Sequence, residues 1–200
     1  MAAGLAALGL AARPKELAAK QACAAVGQSE LMHAYASAFA NEGLSVAQLL
    51  LTHNDLDSRT RHLNARNTLA HLLARRTVVP IINENDSVAV EELNFGDNDR
   101  LSAEVAILIG ADRLIILTSV DGLQDADGRV VPVVDDFTAV SGLVRADKGH
   151  VSTGGMVTKL QAAQLAVKAG VAVNIVSGRT PDLLKAIVAG KRVGTHFPVR

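Results

Sequence analysis

Apolar residues along this chain form short continuous runs, and the segments between the runs space their apolar positions as helices do. The runs at 44–51, 78–82, 113–118 and 171–176 have the length of buried strands. Strands that are apolar on both faces are typical of a parallel sheet covered by helices on both sides. The pattern therefore predicts an α/β fold, a three-layer αβα sandwich with a mainly parallel central sheet.

The segments between the runs also carry signals for helix ends. A helix from Lys15 to Val26 is predicted to end at Gly27, and Ser29 is expected to cap a second helix that runs to about Asn41. Further helices are predicted at 59–75, 102–109, 156–169 and 181–189. Because no linker or change in composition divides the chain, a single domain over residues 1–200 is the simplest interpretation.

Composition narrows the classes of function. Aromatic residues make up 2% of the chain, so the core is expected to be aliphatic, and the formal net charge is zero. A neutral chain lacks the positive field that nucleic-acid binding needs, so nucleic-acid partners are not expected. The single cysteine, Cys23, is interpreted as a buried thiol in a reducing cytosol.

No apolar run approaches the roughly 20 residues of a membrane-spanning helix, so no membrane partner is expected. The apolar N-terminus is followed, not preceded, by Arg13 and Lys15, which is the wrong order for a signal peptide. The sequence thus predicts a cytoplasmic protein.

Two polar clusters follow the run at 78–82. The first is Asn83-Glu84-Asn85-Asp86, and the second, Gly96-Asp97-Asn98-Asp99, comes after a short excursion. Asp can pair with an ammonium group and Asn with a carboxylate or amine, so the mixture suits an amino acid. The carboxylates could equally hold a divalent cation, and such residues also favour simple turns. Two clusters flanking one hairpin favour the functional interpretation.

The segment Ser152–Lys159, with the sequence STGGMVTK, is a candidate anion site. Glycines allow backbone amides to approach a phosphate, and the start of the following helix adds partial positive charge. Lys159 would lie about one turn into that helix. The segment is not a Walker A loop. By itself, the pattern fits a glycine-rich helix entry with a solvated lysine equally well.

Several stretches resemble glutamate 5-kinases, a family of the amino-acid-kinase type. They are PIINENDSVAVEELNFGDNDRLSAEVAILIGADRLIILTSVDGL, KQACAAVGQSELM, QLLLTHNDL, RHLNARNTL and STGGMVTKLQAA. The resemblance runs from about residue 3 to the end of the chain. It implies the αβα fold and phosphorylation of the γ-carboxylate of L-glutamate by ATP with Mg²⁺, the first step of proline synthesis. It also implies a homo-oligomer, a dimer or a tetramer.

The resemblance further implies roles for the residues of the two polar clusters. Asp86 and Asn98 would bind glutamate. Asp97 would serve the magnesium ion, and Asp99 would act as a catalytic residue in the phosphoryl-transfer site.

It also implies a nucleotide site on later segments. Thr118 and Ser119 would contact the nucleotide, although many relatives carry Asp at the position of Ser119. The ATP-binding loop would comprise Thr153, Gly154, Gly155, Met156, Val157, Thr158 and Lys159. Lys159 would also be catalytic, because it would stabilise charge on the transferring phosphoryl group.

The chain departs from the family at its beginning. Family members start with a strand carrying a Lys-x-Gly-Ser/Thr loop, and Gly4 aligns just after a later Ser-Ser motif. We therefore expect a kinase domain that lacks both its first strands and the C-terminal PUA domain of longer relatives. We expect this chain to have weak or no activity. The alternatives are an impaired fragment or pseudokinase that binds an amino acid, or another small-substrate kinase of the superfamily.

Overall fold

The computed structural model describes residues 2–88, 97–140 and 155–199. The chain divides into two compact units, residues 1–94 and 95–200, and each unit is described by itself. A single domain over residues 1–200 stays a prediction.

The first unit places four helices around a pair of parallel strands. Its elements are α1 (Ala2–Ala7), α2 (Leu17–Ala40), β1 (Ser45–Leu51), α3 (His53–Asp57), α4 (Arg59–Leu73) and β2 (Val78–Glu84). β1 and β2 pair in register from Ser45 opposite Val78 to Leu51 opposite Glu84. Both strands therefore end at the same edge, where the first polar cluster begins.

Helix α2 is continuous, and the predicted break at Gly27 is wrong. Gly27 is buried inside the helix at the point where α1 packs against it. A Cβ atom on Gly27 would lie 2.7 Å from the backbone nitrogen of Gly4. The glycine permits close packing of two helices here, which a sequence pattern cannot distinguish from a helix end.

The second unit contains a three-stranded sheet. Its elements are α5 (Asp97–Ile109), β3 (Arg113–Thr118), α6 (Gly155–Lys168), β4 (Ala172–Ser177), α7 (Leu183–Val188) and β5 (Thr195–Phe197). β4 lies in the middle, parallel to β3 and antiparallel to β5. The predicted α/β class with parallel strands is thus confirmed.

The core of the second unit lies between this sheet and helices α5 and α6. It contains small residues on the helices and larger apolar residues on the strands, among them Ala103, Ala106, Ala162, Ala163, Ala166, Ile116, Val173, Ile175 and Phe197. Alanine at these positions allows the two helices to pack closely.

Two element bounds change the setting of the polar clusters. β2 extends to Glu84, so Asn83 lies inside the strand. α5 begins at Asp97, five residues before the predicted start, so Asp97, Asn98 and Asp99 of the second cluster lie in a helix. In the described part of the chain, no helix has both the length and the apolar character needed to cross a membrane.

Candidate active site

An ion pair between Asp99 and Lys159 joins the first turns of α5 and α6. The Lys159 Nζ atom lies 2.9 Å from Asp99 Oδ2 and 3.2 Å from Asp99 Oδ1. Both side chains are mostly buried, with 17% of Asp99 and 16% of Lys159 exposed. A charged pair that is largely removed from water requires defined geometry and further hydrogen bonds.

One neighbouring side chain bonds the Asp99 carboxylate, and another bonds the Asp99 backbone. The Thr158 hydroxyl donates to Asp99 Oδ2 over 2.7 Å, and the Ser102 hydroxyl donates to the Asp99 carbonyl over 2.7 Å. Asp99 therefore has its carboxylate held from α6 and its backbone held from within α5. This arrangement fixes where the Lys159 ammonium lies.

The position of the pair suits an anionic ligand. α5 and α6 begin at Asp97 and Gly155, and the unpaired amides of a helix's first turn carry partial positive charge. An ammonium group has three donors, so Lys159 can bond Asp99 and still donate to an incoming phosphate. The Lys159 ammonium group can therefore bind an anion while Asp99 keeps it in position.

A second polar group lies where β3 and β4 end. Thr118 is opposite Ser177 in the sheet, and the Gly178 amide donates to the Thr118 carbonyl over 2.8 Å. Thr118 is half-buried, and Ser119 is exposed in the bend that follows β3. Loops beyond the carboxyl ends of parallel strands are where α/β proteins bind ligands.

Ser177 and Gly178 were not among the residues assigned a role from the sequence. Their position directly after a buried apolar run, like that of Thr118, does mark them in the sequence as polar residues at the end of a strand. The register of β3 against β4 is what brings the pair next to Thr118.

The first unit carries the other polar cluster. Asp86 is half-buried in a turn directly after β2. Asn83, inside the strand, donates from Nδ2 to Gln28 Oε1 over 2.9 Å. Gln28 lies on α2 and had no predicted role, because its contact with Asn83 spans 55 positions of sequence.

The structure thus brings Asp99, Thr158 and Lys159 together within the second unit. Asn98 lies exposed beside Asp99 in α5. Gly155, Met156 and Val157 form the start of α6. Thr153 and Gly154 lie outside the described residues, as does the side chain of Asp97, whose backbone begins α5.

Parallel strands that alternate with helices define the chain as an α/β protein, and in its second unit two helices are joined near their starts by the Lys159–Asp99 ion pair. The family described as "Amino acid kinase family" matches residues 1–177. The chain belongs to this family.

Curated relatives named glutamate 5-kinase are similar over almost the whole chain. The protein from Myxococcus xanthus is 47% identical over 98% of this chain and 54% of its own length. The protein from Deinococcus radiodurans is 50% identical over 98% of this chain and 55% of its own length. The chain therefore spans about half the length of the curated relatives it matches.

Solved structures support the fold. The uridylate kinase of Archaeoglobus fulgidus superimposes with a TM-score of 0.54 and 18% identity, covering 97% of this chain and 77% of that protein. An N-acetylglutamate synthase from Neisseria gonorrhoeae gives 0.52 and 22%, covering 67% of this chain and 30% of that protein. At these identities the likeness concerns the fold alone.

Proposed function

We propose that the protein to which this chain belongs transfers the γ-phosphoryl group of ATP to the γ-carboxylate of L-glutamate, forming glutamyl 5-phosphate. The observation that carries the proposal is the Lys159–Asp99–Thr158 group at the start of two helices. The relatives named glutamate 5-kinase, at 47% to 50% identity, support the choice of substrate. The reaction would begin proline synthesis, in the cytoplasm.

Phosphoryl transfer depends mainly on positioning and on stabilising negative charge. In the proposed mechanism Lys159 donates to the phosphoryl oxygens as charge shifts toward the leaving phosphate. Asp99 acts by holding the Lys159 ammonium over 2.9 Å and keeping it from swinging into solvent. Thr158 helps by holding the Asp99 carboxylate.

The rest of the proposed nucleotide site follows from neighbouring segments. The loop from Thr153 through Gly155 to Lys159 would bind the phosphates through backbone amides. Thr118 and Ser119, at the end of β3, would contact the nucleotide at the sheet edge.

Magnesium is expected with ATP and would neutralise charge on its phosphates. Mg²⁺ commonly uses one or two protein carboxylates together with substrate phosphates. Among the described residues there is no group of three or more acidic, histidine or cysteine side chains placed around a metal. Because both Asp99 oxygens face Lys159, Asp97 is the proposed protein ligand.

For the acceptor, Asp86 would pair with the ammonium group of glutamate and Asn98 would donate to a carboxylate. The protein would act as a homo-oligomer, a dimer or a tetramer.

The proposal is tested by incubating the protein with ATP, Mg²⁺, hydroxylamine and a single amino acid. Hydroxylamine traps an acyl phosphate as a coloured hydroxamate, so glutamate should give a signal and aspartate or N-acetylglutamate should not. A signal with aspartate or N-acetylglutamate instead would assign a different kinase of the superfamily. Calorimetric binding of glutamate and an ATP analogue without any hydroxamate would indicate an impaired amino-acid-binding chain.

A further inference from the structure

The side-chain amide of Gln28 makes one hydrogen bond, and a contribution to the stability of the fold does not explain why a glutamine lies at this position. It follows the buried residues Cys23, Ala24 and Gly27 on the face of α2 that packs inside the first unit. Its Oε1 atom accepts from Asn83 Nδ2 over 2.9 Å. One half of the Gln28 amide is therefore satisfied by the side chain at the end of β2.

The other half is not satisfied. Gln28 Nε2 is fully buried and has no hydrogen-bond partner in the part of the chain that the structure describes. Exchanging the two Gln28 amide atoms would not help, because two donors would then face each other unless Asn83 turned too. After both turns, Gln28 Oε1 would be the buried atom without a partner.

A buried donor without a partner destabilises a protein, whereas an apolar side chain of the same length would avoid that loss. Methionine would fill the same space on α2 without a polar atom to desolvate. The glutamine is thus a poor choice for packing. Its benefit must lie in what its carbonyl holds.

What it holds lies at the substrate end of β2. Asn83 is the last residue but one of the strand, and Asp86, the proposed partner of the substrate ammonium, follows in the next turn. An asparagine amide can rotate, and the bond to the Gln28 carbonyl restricts the rotation of the Asn83 amide. Restricting this rotation keeps the polar end of β2 in one arrangement before a ligand arrives, which lowers the entropy cost of binding.

We propose that Gln28 is a positioning residue for the amino-acid site, acting through Asn83. The inference rests on the proposed function, since it takes an acidic amino acid as the ligand. Gln28 touches no reacting atom in this scheme. Its effect should therefore appear in the affinity for the amino acid and not in the chemical step.

The test compares Gln28→Met with the matched control Gln48→Met, which changes an exposed glutamine of β1 in the same unit. Steady-state kinetics should show KM for glutamate rising about tenfold in Gln28→Met, the usual effect of losing one oriented hydrogen bond. KM for ATP and kcat should stay within about twofold, and the melting temperature should equal or exceed that of the wild type. Gln48→Met should match the wild type throughout.

A double-mutant cycle with Asn83→Ala tests whether Gln28 acts on the amino-acid site through Asn83. If Gln28 acts through Asn83, adding Gln28→Met to Asn83→Ala should raise KM for glutamate by less than about twofold more. Additive effects would overturn the proposed route. An unchanged KM with a lowered melting temperature in Gln28→Met would make Gln28 a purely structural residue.

The two proposals fail in different ways. If the wild type phosphorylates glutamate and Gln28→Met has the same KM, only the role of Gln28 is refuted. If the wild type shows neither turnover nor calorimetric binding with glutamate, the proposed function fails and the role of Gln28 fails with it. If glutamate binds without turnover, the dissociation constants of the same variants replace KM and decide the role of Gln28.

Discussion

The two compact units bury their apolar side chains to very different degrees. In the second unit a continuous core joins α5 and α6 to all three strands, and Val173, Ile175 and Phe197 are fully buried. In the first unit every residue of β2 is only half-buried, and β1 buries Leu51 alone. A two-stranded sheet is marginal unless something packs on it.

The difference matters for the candidate site. Lys159 and Asp99 lie on two helices that share the larger core, so their geometry is held by packing as well as by the ion pair. Asn83 and Asp86 lie at the end of the thinner sheet, where fewer buried contacts restrain them. The residues proposed for phosphate chemistry, Asp99 and Lys159, thus lie in the unit with the larger core. Asp86, one of the two residues proposed for the amino acid, lies in the first unit, where polar contacts such as that between Gln28 and Asn83 hold the end of β2.

Among the substitutions that test the difference between the two units, Phe197→Ala should have the largest effect on the free energy of unfolding. Phe197 is fully buried and stacks on Phe137 with ring centroids 5.3 Å apart. Removing a buried aromatic ring should lower the free energy of unfolding by about 3–5 kcal/mol. Hydrogen exchange read by mass spectrometry should rise across residues 95–200.

Leu69→Ala provides the comparison in the first unit, where Leu69 is 1% exposed. It should cost about 2–3 kcal/mol, the lower part of the range for leucine, because the thinner packing can collapse around the cavity. A larger loss for Leu69→Ala than for Phe197→Ala would contradict the contrast between the units.

Lys159→Met should lower kcat for glutamate phosphorylation by about 10²–10³, as does loss of one donor that stabilises transition-state charge. The melting temperature should also fall, because removing the ammonium group leaves the largely buried Asp99 carboxylate without its counter-charge. Coupled detection of ADP release measures the rate. The control is Lys168→Met, at the exposed end of the same helix. A loss of less than about threefold would remove Lys159 from the proposed chemistry.

Gly27→Ala tests the packing of α1 against α2, because close packing and its absence predict changes of opposite sign in the free energy of unfolding. In a helix without a close neighbour, the change should stabilise by about 1 kcal/mol. With the Gly4 backbone nitrogen only 2.7 Å from the new methyl, overpacking should instead destabilise by about 1–2 kcal/mol. Urea denaturation gives the sign. Ala25→Gly, at an exposed position of α2, should show only the loss of propensity.

The smallest expected effect concerns the start of α3 in the first unit. The Thr52 side chain and backbone bond the Asp55 carboxylate at 2.7 and 2.8 Å. The Thr52 side chain is the main cause that lowers the pKa of Asp55; burial opposes it, while the Thr52 amide and Arg61 lower it further. Thr52→Ala should therefore cost about 1 kcal/mol at neutral pH.

Because the folded pKa of Asp55 is depressed, this contribution is present above the unfolded pKa and is lost as pH falls through the folded pKa. The gap in unfolding free energy between Thr52→Ala and the wild type should narrow as a denaturation series moves below pH 4, near the ordinary pKa of 3.8. A gap that widens in acid would refute this. Asp57→Asn, exposed in the same helix, is the control.

Much of the site could be predicted because it depends on local sequence. The apolar runs gave the positions of β1, β3 and β4 to within a residue, and the glycine-containing entry to α6 indicated Lys159. Other features could not be predicted from local pattern. Gly27 carries the signal of a helix end, yet it lies inside α2 because α1 packs there.

The sequence by itself determined the class of fold, since that follows from the spacing of apolar runs. It also predicted, through the family resemblance, which residues would form the phosphate site. Only the tertiary structure decided which of those residues meet. The pairing of Asp99 with Lys159 spans 60 positions and depends on α5 and α6 packing through small side chains. The bond from Asn83 to Gln28 likewise spans 55 positions. Long-range contacts of this kind arise from packing of elements, which no local pattern contains.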